Sequence, residues 1–281
     1  MKNALTVDVE DYFHVTAFER VITPSDWDRY PYRAGDNTRK VLDLFDRFAV
    51  KGTFFILGWV AERDPGLVRE IQRRGHEIAC HGYSHQLIYR TGPEAFRTDV
   101  HRAKTLLEDQ TGIPVTGYRA PSYSITSASL WALDILIEEG FTYDSSIFPI
   151  RHDIYGMPDA PRFPHDIRRP AGVIREFPIS TVQIGRLRLP VGGGGYLRLL
   201  PAEWFRRSFV RLNTLGHPAV LYFHPWEIDP DQPRIKAGFR SRFRHYLNLK
   251  RMEGRLSTLC SSLPFAPMSE VLADLSLVSA R

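Results

Sequence analysis

His81 and His85 stand four positions apart, separated by Gly82, Tyr83 and Ser84 and preceded by a short apolar run at residues 77–80. On a helix that spacing would put both imidazoles on one face. Here the intervening glycine and serine, and the lack of an apolar helical period, favour a tight turn at a strand's end. Such a turn aims two ring nitrogens at one point, and neutral imidazole is a common ligand for borderline divalent cations. Taken alone, the pair is better explained as a hydrogen-bonded core histidine and a surface one. The acidic run Asp8-Val9-Glu10-Asp11, closing another apolar run, reverses that preference. It offers the carboxylate that completes a two-histidine, one-carboxylate cation site with a position open to water.

The elements that must position these groups alternate along the chain. Residues 4–9, 53–57, 77–80, 115–118, 141–143, 173–179 and 219–223 read as strands. Helical periods with their stop signals lie at 36–52, 65–74, 91–110, 127–139 and 201–215, and the tail carries one helix at 239–262 and another from 269. Residues 12–33 form an irregular aromatic loop, 151–170 an aperiodic insertion or lid, and 182–191 an added hairpin. The run Gly192 to Gly195 lacks the Lys-Ser/Thr ending of a phosphate loop and reads as a flexible or closely approached loop. Strand, polar residue and helix recur as βαβ units. Asp8, His81, Arg119, Asp144 and His224 each stand at or just after a strand's end. A closed (β/α) barrel gathers all such ends on one face, whereas a doubly wound sheet gathers them only beside its switch point. The expected fold is therefore α/β, a barrel of about seven strands.

The chain has 281 residues, 43% hydrophobic and 25% charged, as in ordinary soluble globular proteins. That length suits one large α/β domain or two small ones. The formal net charge of +5 comes mostly from scattered arginines, with small clusters at Arg206-Arg207 and at Arg240, Arg242 and Arg244. No long basic tract is present, which argues against a nucleic-acid partner. The clusters would suit an anionic glycan or a lipid-linked phosphate, although any single arginine is more simply a solvated group. Cys80 and Cys260 are too few for a disulfide framework. With neither a signal-type apolar run nor a transmembrane segment in the sequence, a cytoplasmic location is expected.

Five motifs in order over residues 4–227 resemble the NodB-type polysaccharide deacetylases, carbohydrate esterase family 4. They are Thr6-Val7-Asp8-Val9-Glu10-Asp11, His81-Gly82-Tyr83-Ser84-His85, Arg119-Ala120-Pro121-Ser122-Tyr123, Asp144-Ser145-Ser146 and Leu221-Tyr222-Phe223-His224-Pro225-Trp226-Glu227. Residues 224–248 also resemble the C-terminal extension of a subgroup tied to bacterial exopolysaccharide and exosortase loci. The resemblance implies a distorted (β/α)7-type barrel with NodB-like topology at residues 1–228, and a helical extension at 229–281 packed on the same domain. It departs from the family's usual first motif, which has two adjacent aspartates followed by glycine. Here Asp8 matches the base, and the cation carboxylate is Glu10 or Asp11. Alternation in a strand favours Glu10, which shares the face of Asp8.

The activity implied is metal-dependent removal of N-acetyl groups from sugars of a polysaccharide or its lipid-linked precursor, within exopolysaccharide biosynthesis. His81, His85 and Glu10 would hold a divalent cation, zinc by default, and Asp8 would be the general base, paired with Arg119. His224 would be the general acid with Asp144 as its orienting partner, and a backbone N–H near Ser122 or Tyr123 an oxyanion donor. Tyr12, His14, Tyr123 and Trp226 would bind sugar rings or serve as ordinary core aromatics. The expected partner is an N-acetylated glycan, with peripheral contact to a lipid-linked one. Two competing readings are a hydrolase of a linear or cyclic non-sugar amide and a non-catalytic glycan-binding relative.

Overall fold

Apolar runs with no polar face are what strands covered on both sides require. The first, β1 (Asn3–Val9), is buried along its whole length. In chain order follow β2 (Thr53–Ile56), β3 (Glu77–Cys80), β4 (Gly117–Tyr118), β5 (Tyr143–Asp144), β6 (His165–Arg169), β7 (Gly172–Glu176), β8 (Thr181–Ile184), β9 (Leu187–Pro190), β10 (Val220–Phe223) and β11 (Phe265–Ala266). The helices are α1 (Ala34–Arg47), α2 (Gly58–Arg63), α3 (Pro65–Arg73), α4 (Pro93–Thr111), α5 (Trp131–Glu138), α6 (Gly195–Leu199), α7 (Ala202–Thr214), α8 (Phe239–Tyr246), α9 (Leu249–Ser262) and α10 (Met268–Ser279). This computed structural model describes residues 1–152, 155–185 and 187–279, with side chains to residue 275.

Parallel ladders join β10, β1, β2, β3, β4, β5 and β7 into one arc. β6 adds antiparallel to β7, and β11 pairs with the start of β1. Residues 177–194 bridge the arc's two ends by separate hydrogen bonds rather than by a ladder. The Phe177 amide reaches the Asp144 carbonyl at 2.8 Å, and the Tyr222 amide reaches the Gly192 carbonyl at 2.7 Å. Gly193 sits there at φ 131°, where a Cβ would lie 2.0 Å from the Tyr222 carbonyl oxygen. The glycine run is thus a closely approached segment, and the fold is a distorted seven-stranded barrel.

Alternation along the strands sorts side chains between two cores. Leu5, Val7, Val9, Phe54 and Ile56 face the surrounding helices. Ala4, Phe55, Ala79 and Val220 face the interior, which α10 plugs at its lower end with Met268, Val271 and Leu272.

Four expectations shift. α1 starts at Ala34 rather than at the Asp36-Asn37 cap, because Asp11 accepts the Arg33 and Ala34 amides at 2.6 and 2.8 Å. α5 begins at Trp131, after a turn in which the Ser129 hydroxyl accepts the Thr126 amide. The expected helix at 239–262 is broken at Asn248, which adopts φ 53°. Part of the expected 151–170 insertion is β6, whose polar residues suit an edge strand; residues 153 and 154 of it lie outside the described residues.

Candidate metal centre and active site

Glu10, His81 and His85 each offer a ligand atom, and these atoms lie within 4.8 Å of one another. β1 delivers Glu10 on the face of Asp8, and β3 delivers His81 at its end. The His81 Nδ1 lies 2.8 Å from the Arg119 carbonyl oxygen, so that nitrogen carries the proton and Nε2 keeps its lone pair for a cation. Burial pushes the His81 pKa down to about 4 although Asp8 opposes it, which keeps the ring neutral as a ligand must be. The His85 Nε2 lies 2.5 Å from Glu10 Oε2. Burial works to raise the Glu10 carboxyl, yet His85, His224 and His81 hold it well below the usual carboxylate range. A buried carboxylate facing two imidazoles is the donor set of a borderline divalent cation, so the residues fit one.

The turn that carries the histidines is held from outside. Asp99 on α4 accepts the Tyr83 amide at 2.7 Å and the Ser84 amide at 3.0 Å, and also takes the Ser84 hydroxyl. Gly82 turns at φ 71°, with Asp99 Oδ2 only 2.9 Å from where a Cβ would stand. His85 itself adopts φ 51°. A non-glycine residue there costs about 1–3 kcal/mol, a strain that a functional turn must be braced to keep.

Asp8 lies beside this triad. Its Oδ1 accepts from Arg119 Nη1 at 2.7 Å. That guanidinium is completely buried, also binds Thr6 Oγ1, Ser145 Oγ and the Ser145 carbonyl, and lies 4.1 Å over the Phe55 ring. A planar fork so fully engaged fixes the carboxylate's orientation.

Opposite stands His224, with Nε2 3.3 Å from Glu10 Oε1 and 3.9 Å from Asp8 Oδ2. Its Nδ1 faces Glu227 Oε1 at 2.7 Å, and Glu227 accepts the His224 amide as well. Arg198 Nε clamps the other Glu227 oxygen at 2.5 Å, while Arg198 Nη1 donates to the carbonyls of Arg244 and His245. Burial opposes a charged ring, but Glu10, Glu227 and Asp8 outweigh it and push the His224 pKa up to about 9. Sequence reasoning missed three of these supports: Glu227, Arg198 and Asp99. Only Glu227 left a local trace, the capping-box spacing from His224.

Several expected roles need correction. Asp144 does not orient His224. Its Oδ1 accepts from Ser146 Oγ at 2.5 Å, and its carboxyl pairs with that of Glu176, both fully buried. Asp11 is no alternative cation ligand, because its two oxygens accept the Tyr12, Arg33 and Ala34 amides. The Tyr123 amide is taken by the Ala120 carbonyl, which leaves Ser122 as the nearby backbone donor to consider. Tyr12 and Trp226 are buried, with Trp226 stacked between His224 and His245, so neither offers a face to a sugar. Tyr123 is buried among Phe148, Tyr155 and Tyr222. His14 does line a cleft of about 210 Å³ beside His85, with Trp27 and Leu87. Its Nδ1 accepts the Asp11 amide, and its buried Nε2 has no hydrogen-bond partner among the described residues.

Residues 25–137 match the family profile "Polysaccharide deacetylase", and residues 145–273 match "Domain of unknown function (DUF3473)". The first match holds His81, His85 and Arg119, and the second holds His224, Glu227 and Arg198. A peptidoglycan-N-acetylglucosamine deacetylase of Bacillus cereus is 33% identical over 98 residues, 34% of this chain and 36% of that protein. The chain spans well under half the length of the curated relatives it matches. A crystal structure from Mycobacterium smegmatis, provisionally described as a polysaccharide deacetylase, shares the fold with a TM-score of 0.63. It is 21% identical, with 99% of this chain and 92% of that one covered. A carbohydrate esterase family 4 pseudoenzyme from Bacillus anthracis superposes with a TM-score of 0.50 at 13% identity, covering 96% of this chain and 65% of that one. The chain thus carries a polysaccharide deacetylase domain, matched over residues 25–137, followed by a DUF3473 region, matched over residues 145–273.

Proposed function

We propose that this chain is a metal-dependent hydrolase that removes N-acetyl groups from sugars of a polysaccharide or its lipid-linked precursor in exopolysaccharide biosynthesis. The observation that carries the reading is the convergence of Asp8 and His224 beside the Glu10, His81 and His85 cluster. Those three residues would hold the cation, zinc by default. When bound, such an ion polarises an amide carbonyl and acidifies water. Asp8, held in place by Arg119, takes the proton from the attacking water. His224 enters the reaction protonated and gives its Nε2 proton to the departing sugar nitrogen. Glu227 holds the other ring nitrogen and stabilises the cationic form, as an acidic partner does in other histidine-based sites. The cleft beside His85, lined by His14, Trp27 and Leu87, would receive part of the substrate.

The DUF3473 region on this reading is not an accessory, since it supplies the acid and its clamp. The test is acetate release from a panel of N-acetylated glycans, comparing wild type with Asp8→Asn. The expected result is release by wild type and a loss of about 10²-fold or more in the variant. Undiminished release by Asp8→Asn removes the base assignment. Glycan binding without release would place this chain with the pseudoenzymes of its fold.

A further inference from the structure

Helix α8 carries a feature that the hydrolytic site does not use. Phe239 is 82% exposed, the most exposed large apolar side chain among the described residues, and Phe243 is 54% exposed. The two lie one turn apart with ring centroids at 6.3 Å, stacked at 23°. At roughly 100° per residue, Arg242 flanks this pair on one side and Arg240 and Arg244 on the other. All three arginines are exposed, and no ion pair to a carboxylate is found for them among the described residues. Residues 232–252 hold seven lysines and arginines and no carboxylate.

The inner face of the helix is bolted to the active site. Its last turn offers the Arg244 and His245 carbonyls to Arg198, and Tyr246 Oη accepts the Ile235 amide at 2.7 Å. The His245 ring stacks on Trp226 at 4.2 Å, and Trp226 stacks on His224 at 5.3 Å. Two rings therefore separate the helix from the proposed acid.

We propose that α8 is an interfacial helix that docks the protein on an anionic lipid bilayer, Phe239 and Phe243 entering the headgroup boundary and the flanking arginines pairing with lipid phosphates. A short helix with apolar side chains on one stripe and cations on both borders is built for that plane. A protein partner would need a complementary apolar surface far larger than two rings. Because His245 and Trp226 join this helix to His224, the proposal extends to the substrate, a glycan carried on lipid at that surface. The substrate half rests on the deacetylase reading above; the docking half does not.

The full chain is sedimented with vesicles of phosphatidylcholine, with and without phosphatidylglycerol, and turnover of a soluble N-acetylated chitooligosaccharide is measured in parallel. Wild type sediments with the anionic vesicles and less so as salt rises. Phe239→Ser/Phe243→Ser and Arg240→Glu/Arg242→Glu each lower partitioning by about tenfold or more, while soluble turnover stays at the wild-type level. In Phe239→Trp, brominated lipid quenches the added fluorescence. Equal sedimentation with neutral vesicles, unchanged partitioning of the double-Phe variant, or unquenched added fluorescence in Phe239→Trp overturns the proposal. So does displacement by transfer RNA that binds wild type and the double-Phe variant alike, which would mark a nucleic-acid surface. Loss of soluble turnover in wild type counts against the deacetylase reading and leaves the vesicle result to stand by itself.

Discussion

Glu227 Oε1 lies 2.7 Å from His224 Nδ1, while the strand-end aspartate expected to hold that histidine faces another carboxyl instead. A carboxylate at Nδ1 stabilises the protonated ring, so removing its charge lowers the acid's pKa. His224 is pushed up to about 9, and activity that needs it protonated persists below that value and falls above it. Glu227→Gln is expected to lower kcat by about 10- to 100-fold and to move the alkaline limb of the kcat/KM profile to lower pH. Asp144→Asn should leave that limb in place. A pH–rate series on both variants checks this.

Arg198 acts at one remove, through Glu227. Replacing it with alanine strands a buried carboxylate and should cost about 3–5 kcal/mol of stability. The chemical signature separates positioning from mere destabilisation. At a temperature where Arg198→Lys is folded, its kcat should fall on an N-acetyl sugar with KM little changed. It should fall far less on 4-nitrophenyl acetate, whose leaving group needs no proton.

Asp99 braces the histidine turn without reaching the cation cluster. Asp99→Ala frees two amides and the left-handed His85, so zinc affinity should fall by about 10- to 100-fold. Calorimetric titration of the metal-stripped protein measures it; unchanged affinity would show that the turn holds itself.

The Asp144–Glu176 pair gives a pH signature of its own. Burial raises both carboxyls, Asp144 to about 6, and the pair shares a proton that also ties β5 to β7. A carboxyl whose pKa is raised on folding holds its proton better in the folded state. Its contribution is complete below the unfolded value near 4 and is lost as pH rises through about 6. Glu176→Gln replaces the shared proton with an amide hydrogen. The variant's melting temperature should therefore fall less than the wild type's between pH 4 and pH 8, and a parallel decline would contradict the assignment.

What the sequence revealed follows from distance along the chain. His81, Arg119 and His224 were legible because each leaves a buried strand, and period-two alternation pointed to Glu10 over Asp11. The seven parallel strands were legible as apolar runs, whereas β6, a polar edge strand, carries no such run. Side chains that act on remote partners left no local trace. Asp11 caps a helix 22 residues on, Arg198 clamps a carboxylate 29 residues away, and Asp99 looks like any acid on a solvated helix. Glu227 was missed although its capping-box spacing from His224 stood in the sequence, because the strand-end aspartate drew the role.

The central claim is that two rings and one acid from separate strands grip a single cation. Zinc titration of the metal-stripped protein, with bound metal counted by mass spectrometry, tests it directly. Wild type should take up one equivalent, His81→Ala and Glu10→Ala should lose it, and Asp11→Asn should bind as wild type does. Full occupancy in His81→Ala, or a loss in Asp11→Asn as deep as in Glu10→Ala, would contradict the account.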